Sequence, residues 1–258
     1  MARKKIQIVI FSVAVAILVS FLFATYIPIK LKGKTPKNSE TVDYPGFGIW
    51  IPPDYEVHGI DVSRHQQKIN WDEVASHKHK DVEVSFAFIK ASEGVTIKDP
   101  LFSTNWKDAK SANILRGAYH FFRPHLTAEQ QFALFKSVVK LEKEDLPPVL
   151  DVEIRGSGSP ARLKSGVKKW LKLAEKYYGV TPILYTNYSF YKHYFNTPEF
   201  KKYPLWIAHY ATDDLNKLTS NWHFWQHNES ARVKGIRGTV DFNVYKGKYD
   251  ELLELCKK

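Results

Sequence analysis

From His58 onward the chain repeats one pattern: a short apolar run closed by a polar or charged residue, then a stretch with helical periodicity. Short apolar runs with few charges suit strands buried on both faces, and such strands are typically parallel and joined by crossover helices. Eight runs qualify: His58–Val62, Ser85–Lys90, Arg116–Phe121, Pro148–Glu153, Pro182–Tyr185, Leu205–Ala208, His223–Gln226 and Thr239–Phe242. Helical patterns at Trp71–His79, Phe102–Ala112, Thr127–Leu141 and Ala161–Tyr178 separate the earlier runs, with Thr127 placed to cap its helix. The last runs leave little room for helices. The pattern predicts an α/β fold, an eight-stranded TIM-like barrel with reduced helices and a β-rich final third. A length of 258 residues accommodates one such domain.

The first part of the chain has a different character. Ile6–Ile29 contains no charged side chain, and at about 1.5 Å per residue a helix of that length exceeds a hydrocarbon core of about 30 Å. It reads as one N-terminal transmembrane helix, an uncleaved signal anchor, because small-x-small cleavage sites around Ser20, Ala24 and Thr25 are poor. The alternative is a signal peptide and a secreted product. Residues 30–55, rich in Lys, Pro, Gly and Ser, read as a tether on which Phe47, Ile49 and Trp50 can pack against the domain rim. The expected division is therefore 1–5 before the membrane, 6–29 spanning it, 30–55 as tether and 56–258 as the barrel.

Of the formal charge of +11, residues 1–40 carry +6 through seven Lys or Arg against Glu40. The remaining +5 is too modest to predict a nucleic-acid groove, although it favours attraction to an anionic polymer. The single cysteine, Cys256, excludes an intrachain disulfide and a cysteine-based metal cluster. His77 and His79 are two apart on an expected helix and diverge, and no HExxH occurs, so no metal and no cofactor are expected. Nothing indicates a multimer, and a monomer is expected.

Polar residues fall at the ends of the predicted strands: Asp61, Glu93, Asp151, Glu153, Asn187, His209, Gln226 and Asp241. The C-terminal rim of a barrel is where active sites lie. Asp151 and Glu153 are two apart on one strand and so share a face. Two carboxyls in a partly desolvated pocket raise one another's proton affinity, which suits a general acid at neutral pH. A helix cap or an ion pair with Arg155 or Arg162 is the structural alternative. If the barrel closes, strand one neighbours strand eight, and Asp61 and Asp241 join the same mouth. Tyr119, Tyr185 and Trp206 lie near this rim with Gln226, where aromatic faces can stack on sugar rings.

Seven segments resemble glycoside hydrolase family 25, the Chalaropsis-type lysozymes: Gly59–Gln66, Phe86–Gly94, Gly117–Phe122, Asp151-Val152-Glu153, Trp206-Ile207-Ala208, Trp225-Gln226 and Val240–Asn243. They occur in order between about His58 and Gly247. Gln67 departs from the family pattern, where many members carry Gly. The resemblance implies cleavage of the β-1,4 bond between N-acetylmuramic acid and N-acetylglucosamine in peptidoglycan. Carried over by motif, Glu153 is the acid/base and Asp151 its partner. Asp61 and Asp241 line the site, and Tyr119, Tyr185, Trp206 and Gln226 are expected to contact substrate. Because peptidoglycan lies outside the cytoplasmic membrane, residues 1–5 are expected inside and the barrel outside. Asp151 and Glu153 approach the sugar from one side, which fits retention through the substrate's own 2-acetamido group better than attack by a protein carboxylate. A chitinase-like hydrolase of N-acetylglucosamine polymers and a catalytically silent wall-binding module are the rival readings.

Overall fold

The computed structural model describes residues 43–258. The Ile6–Ile29 run lies outside the described residues, and among these no helix is long and apolar enough to cross a membrane. The described chain begins with a hairpin, β1 (Asp43–Tyr44) and β2 (Ile49–Trp50). Next come β3 (Val57–Val62), α1 (Trp71–Ser76), β4 (Lys78–His79), β5 (Val82–Glu93), β6 (Ile97–Lys98), α2 (Phe102–Ser111) and β7 (Leu115–Phe121). The chain continues through α3 (Ala128–Val138), β8 (Val149–Asp151), α4 (Pro160–Tyr178), β9 (Ile183–Asn187) and β10 (Leu205–Ala208). It ends in β11 (Phe224–Ala231), β12 (Val240–Tyr245) and α5 (Tyr249–Leu255).

Eight strands close into a barrel in the order β3-β5-β7-β8-β9-β10-β11-β12, with β12 returning to β3. Neighbours from β3 through β11 are parallel, and β12 is antiparallel to both of its partners. The expected adjacency of strands one and eight is present. Asp241, however, stands at the start of its strand and not at the end. The reversed direction of β12 brings that start to the same rim as the C-terminal ends of the others. Helix α1 stops at Ser76, short of the expected His79, because Lys78 and His79 pair with Glu83 and Val82 as a small hairpin.

Inward side chains change from apolar to polar along each strand. Val57, Gly59 and Asp61 succeed one another on β3, Phe86, Phe88 and Lys90 on β5, and Tyr245, Asn243 and Asp241 on the reversed β12. The floor is a dry cluster of Phe86, Phe88, Phe224, Trp206 and Tyr245, sealed below by Leu252 and Cys256 of the α5 region. Rings of that size fit because Gly59 and Gly117 face them from adjacent strands. A Cβ at either glycine would come within 2.5 to 2.6 Å of Phe86 or Phe88, closer than packed atoms approach.

The outer wall is covered by α1 to α4 on the early strands, but among the described residues no helix lies between β11 and β12 or over the seam of β12 and β3. Residues 43–51, assigned from composition to the tether, take that place. Tyr44, Phe47, Ile49 and Ile51 are buried, the Phe47 ring lies 5.1 Å from the Phe242 ring, and the Phe47 carbonyl accepts from the Arg232 N–H at 2.8 Å. The packed domain therefore extends back at least to the hairpin, beyond the expected boundary at residue 56.

Candidate active site

Strand β8 is only three residues long, yet its ladder continues: the Val152 N–H donates to the Tyr185 carbonyl at 2.9 Å, and Thr186 Oγ1 donates to the Val152 carbonyl at 2.7 Å. Val152 points outward into the core, so Asp151 and Glu153 both point into the mouth. They line a cavity of about 360 Å³ with Asp61, Asp241, Tyr185 and Gln226, and Tyr119 and Trp206 also face it. All eight sequence-selected residues thus meet at one site. Glu93, Asn187 and His209 do not. Glu93 is ion-paired with Lys90 at 2.7 Å and with Arg123. Asn187 accepts from the Phe190 N–H, and His209 packs beside Tyr188.

The four acids differ in their surroundings. Asp151 is buried, and its Oδ1 has no hydrogen-bond partner. Burial and the adjacent Glu153 charge push its proton affinity well above the ordinary carboxylate range, with Lys90 working against them. Glu153 is exposed at the mouth, but the surrounding walls raise its affinity for a proton, opposed by the Tyr185 hydroxyl and Lys90. Asp61 is buried, and its Oδ2 accepts from Gln226 Nε2 and Asn243 Nδ2, both at 2.8 Å. Burial lifts it to about 6 against the pull of those bonds and one from Asp241. Asp241 pairs with Asp61 across the β3–β12 seam. Burial, then the Asp61 charge and hydrogen bond, push Asp241 to about 9. At neutral pH the pair therefore shares a proton, held toward Asp241 in the hydrogen bond between them.

A hydrogen-bond chain behind the acids fixes this arrangement. Trp206 Nε1 donates to Asn243 Oδ1 at 2.8 Å, and Asn243 in turn donates to Asp61. From the other side Tyr185 and Tyr210 hydroxyls reach Gln226 Oε1 at 2.9 and 2.6 Å. Tyr185 Oη also lies 3.3 Å from Glu153 Oε1. Since Tyr210 already serves Gln226, the Tyr185 proton is available to Glu153 whenever that carboxyl is anionic. Trp206 is 2% exposed and stacks on Phe88 at 4.5 Å, so it forms the floor and offers little surface to a sugar. Tyr210, 48% exposed, is the open aromatic at the mouth. Asn243 and Lys90 were not selected as site residues from the sequence, and the signal for them is inward strand parity beside the acids. His120, within the Gly117–Phe122 segment, faces outward. It is buried between Ser92 Oγ at 2.8 Å and Gln131 Oε1 at 3.3 Å.

A closed barrel with its acids gathered on one rim, one of them exposed with a raised affinity for a proton, defines a barrel hydrolase that works by acid–base chemistry. The chain belongs to the glycosyl hydrolases of family 25, whose family model matches residues 60–236. It is 45% identical over 206 residues to the uncharacterized protein YegX of Escherichia coli strain K12, covering 80% of this chain and 75% of that protein. To lysozyme M1 of Streptomyces globisporus it is 34% identical over 218 residues, 78% of this chain and 71% of that one. A family 25 glycosyl hydrolase structure from Bacillus anthracis superposes with a TM-score of 0.70 at 30% identity, over 78% of this chain and 94% of the other.

Proposed function

We propose that this glycoside hydrolase is an N-acetylmuramidase that cuts the β-1,4 bond between N-acetylmuramic acid and N-acetylglucosamine in peptidoglycan. The observation that carries the reading is the unequal carboxyl pair in the mouth: Glu153 exposed with raised proton affinity, and Asp151 buried beside it with one oxygen unpartnered. Its kinship with lysozyme M1 supports the choice of polymer.

In the first step the Glu153 O–H donates its proton to the glycosidic oxygen as the bond from that oxygen to the anomeric carbon breaks. The acetamido oxygen of the same sugar closes on the anomeric carbon from the far side, and its N–H donates to Asp151 Oδ1. The unpartnered oxygen has the character of an acceptor awaiting a donor, since buried polar atoms otherwise find partners. Tyr185 then donates to the Glu153 carboxylate. In the second step Glu153 takes a proton from water as the water oxygen bonds to the anomeric carbon and the bond from the acetamido oxygen to that carbon breaks, which restores the acetamido group and retains the anomeric configuration. Asp61 with Asp241 supplies an acceptor and a donor to sugar hydroxyls from across the barrel.

The test is digestion of purified peptidoglycan, with mass spectrometry of the new reducing ends and NMR of the first product's anomeric configuration. Reducing N-acetylmuramic acid formed with retention is expected. Reducing ends from chitin alone would point to a chitinase-like enzyme, and inversion would assign water activation to Asp61 or Asp241. The uncharged Ile6–Ile29 run supports a single-pass anchor with the barrel outside the cytoplasm. The full chain is then expected to sediment with membranes and to resist salt and carbonate. A soluble mature form beginning beyond Ala24 would show a cleaved signal instead.

A further inference from the structure

The outer face of α4 concentrates the domain's charge. Residues 160–178 hold six Lys or Arg against the single acid Glu175, whereas the other residues from 41 onward carry twenty-five of each sign. The entire net positive charge of this region therefore resides on one helix. Leu163, Val167, Trp170, Leu171, Ala174 and Tyr178 bury the inner side of that helix. Lys164, Lys168 and Lys172 at four-residue spacing, and Arg162, Lys169 and Lys176 at seven-residue spacing, then share the outward side. Neighbouring elements neutralise only part of it. Lys168 pairs with Glu199 at 3.0 Å and Lys169 with Glu129 at 3.4 Å, while Glu175 is itself engaged by Lys202 at 2.6 Å. Among the described residues, Arg162, Lys164, Lys172 and Lys176 form no ion pair. Beside Lys176 the ring of Tyr177 is 58% exposed, with Lys136 Nζ 5.7 Å from its centroid.

We infer that this face docks the domain on an anionic phospholipid surface. Charge complementarity calls for a polyanion, and two further features select a bilayer. An exposed tyrosine at the edge of a basic face suits the headgroup level, where amphipathic rings accumulate. Only thirteen residues separate Ile29 from Asp43, and they reach at most about 45 Å. On the anchor reading proposed above, on which this inference rests, the domain is thus always held close to a bilayer. The helix follows Glu153 and runs back along the outer wall, so docking lays the barrel on its side and leaves the mouth uncovered.

The experiment uses the full chain reconstituted in vesicles of phosphatidylcholine, or of equal parts phosphatidylcholine and phosphatidylglycerol, with amine-reactive labelling read lysine by lysine by mass spectrometry. Lys164, Lys172 and Lys176 are expected to be protected on anionic vesicles and labelled on neutral ones, with protection lost in high salt. Each basic residue at an anionic surface is worth roughly five-fold in affinity, so Lys164→Gln/Lys172→Gln/Lys176→Gln weakens docking on the order of a hundredfold. In that variant protection at Lys168 and Lys169 disappears while hydrolysis of soluble glycan fragments is unchanged. Equal labelling on both vesicles, with the protein floating on both, overturns the docking. So does protection by added polyphosphate but not by vesicles. Failure to float on neutral vesicles, with salt-reversible protection on anionic ones, removes the anchor and leaves the docking in place.

Discussion

Asp151 and Glu153 carry the same functional group two residues apart, and their surroundings separate their tasks. Burial without a hydrogen-bond donor suits Asp151 to accept from an incoming amide, while exposure at the mouth suits Glu153 to hand over a proton. Glu153→Gln keeps the shape and removes that proton, so turnover should fall by about 10² to 10⁴. The melting temperature should be unchanged or slightly higher, and near-normal turnover in a folded variant would remove Glu153 from the mechanism. Gln67 offers a second residue-level test. It has φ +56° and ψ −147°, a region that L-residues occupy only under strain and that glycine enters freely. Gln67→Gly should therefore stabilise the protein by about 1 kcal/mol in chemical denaturation; a loss of stability would mean that the side chain holds the loop. The convergence of Asp151 and Glu153 was legible in sequence because strand periodicity is local. The chain from Trp206 through Asn243 to Asp61 was not, since it joins residues 37 and 182 positions apart. A tryptophan expected to meet sugar instead has its indole N–H bound to Asn243 beneath the site.

Among the elements, the hairpin of residues 43–51 acts as the missing helix of a barrel that reduced its helices in the final third. Phe47 is fully buried against Phe242 and lies 4.4 Å from the His77 ring. Truncating it opens a cavity over the seam that carries Asp61 and Asp241. Phe47→Ala should cost about 3 to 5 kcal/mol in urea unfolding, and a chain starting at residue 56 should be less stable than one starting at 43. Equal stability of these two chains would show that the hairpin is only draped on the barrel. The eight strands were recognisable because each is an apolar run with a polar end. Of the hairpin only the packing of Phe47, Ile49 and Trp50 on the rim was legible; its strands were not, because its Pro, Gly and charged neighbours have the composition of a linker and its partners Phe242 and Arg232 lie nearly two hundred residues away. The direction of β12 was equally hidden, since strand polarity leaves no trace in periodicity.

At the scale of the whole molecule, two sets of buried ionisable groups face opposite sides of the barrel wall and make opposite demands on pH. Inside, Asp61 and Asp241 are raised from 3.8 to about 6 and about 9. Outside, under the hairpin, His58 and His227 are lowered by burial from 6.5 to about 4 and about 3. Both ring nitrogens of His227 lack a partner. The folded state binds protons more tightly than the unfolded chain at the aspartates, so their contribution is full below about pH 4 and is lost as pH rises through the folded values. At the histidines the folded state binds protons less tightly. Their contribution is full above about pH 6.5 and is lost as pH falls toward 4 and 3. Substitutions that abolish titration should therefore stabilise in opposite windows. Asp241→Asn should raise the melting temperature increasingly from pH 4 to 9 and lower activity. His227→Leu removes two unsatisfied polar atoms, and its gain should grow as pH falls below 6.5 with activity on glycan preserved. Melting curves of both variants and the parent across pH 4 to 9 decide the matter. Parallel shifts at every pH would mean that packing, and not proton binding, sets the difference.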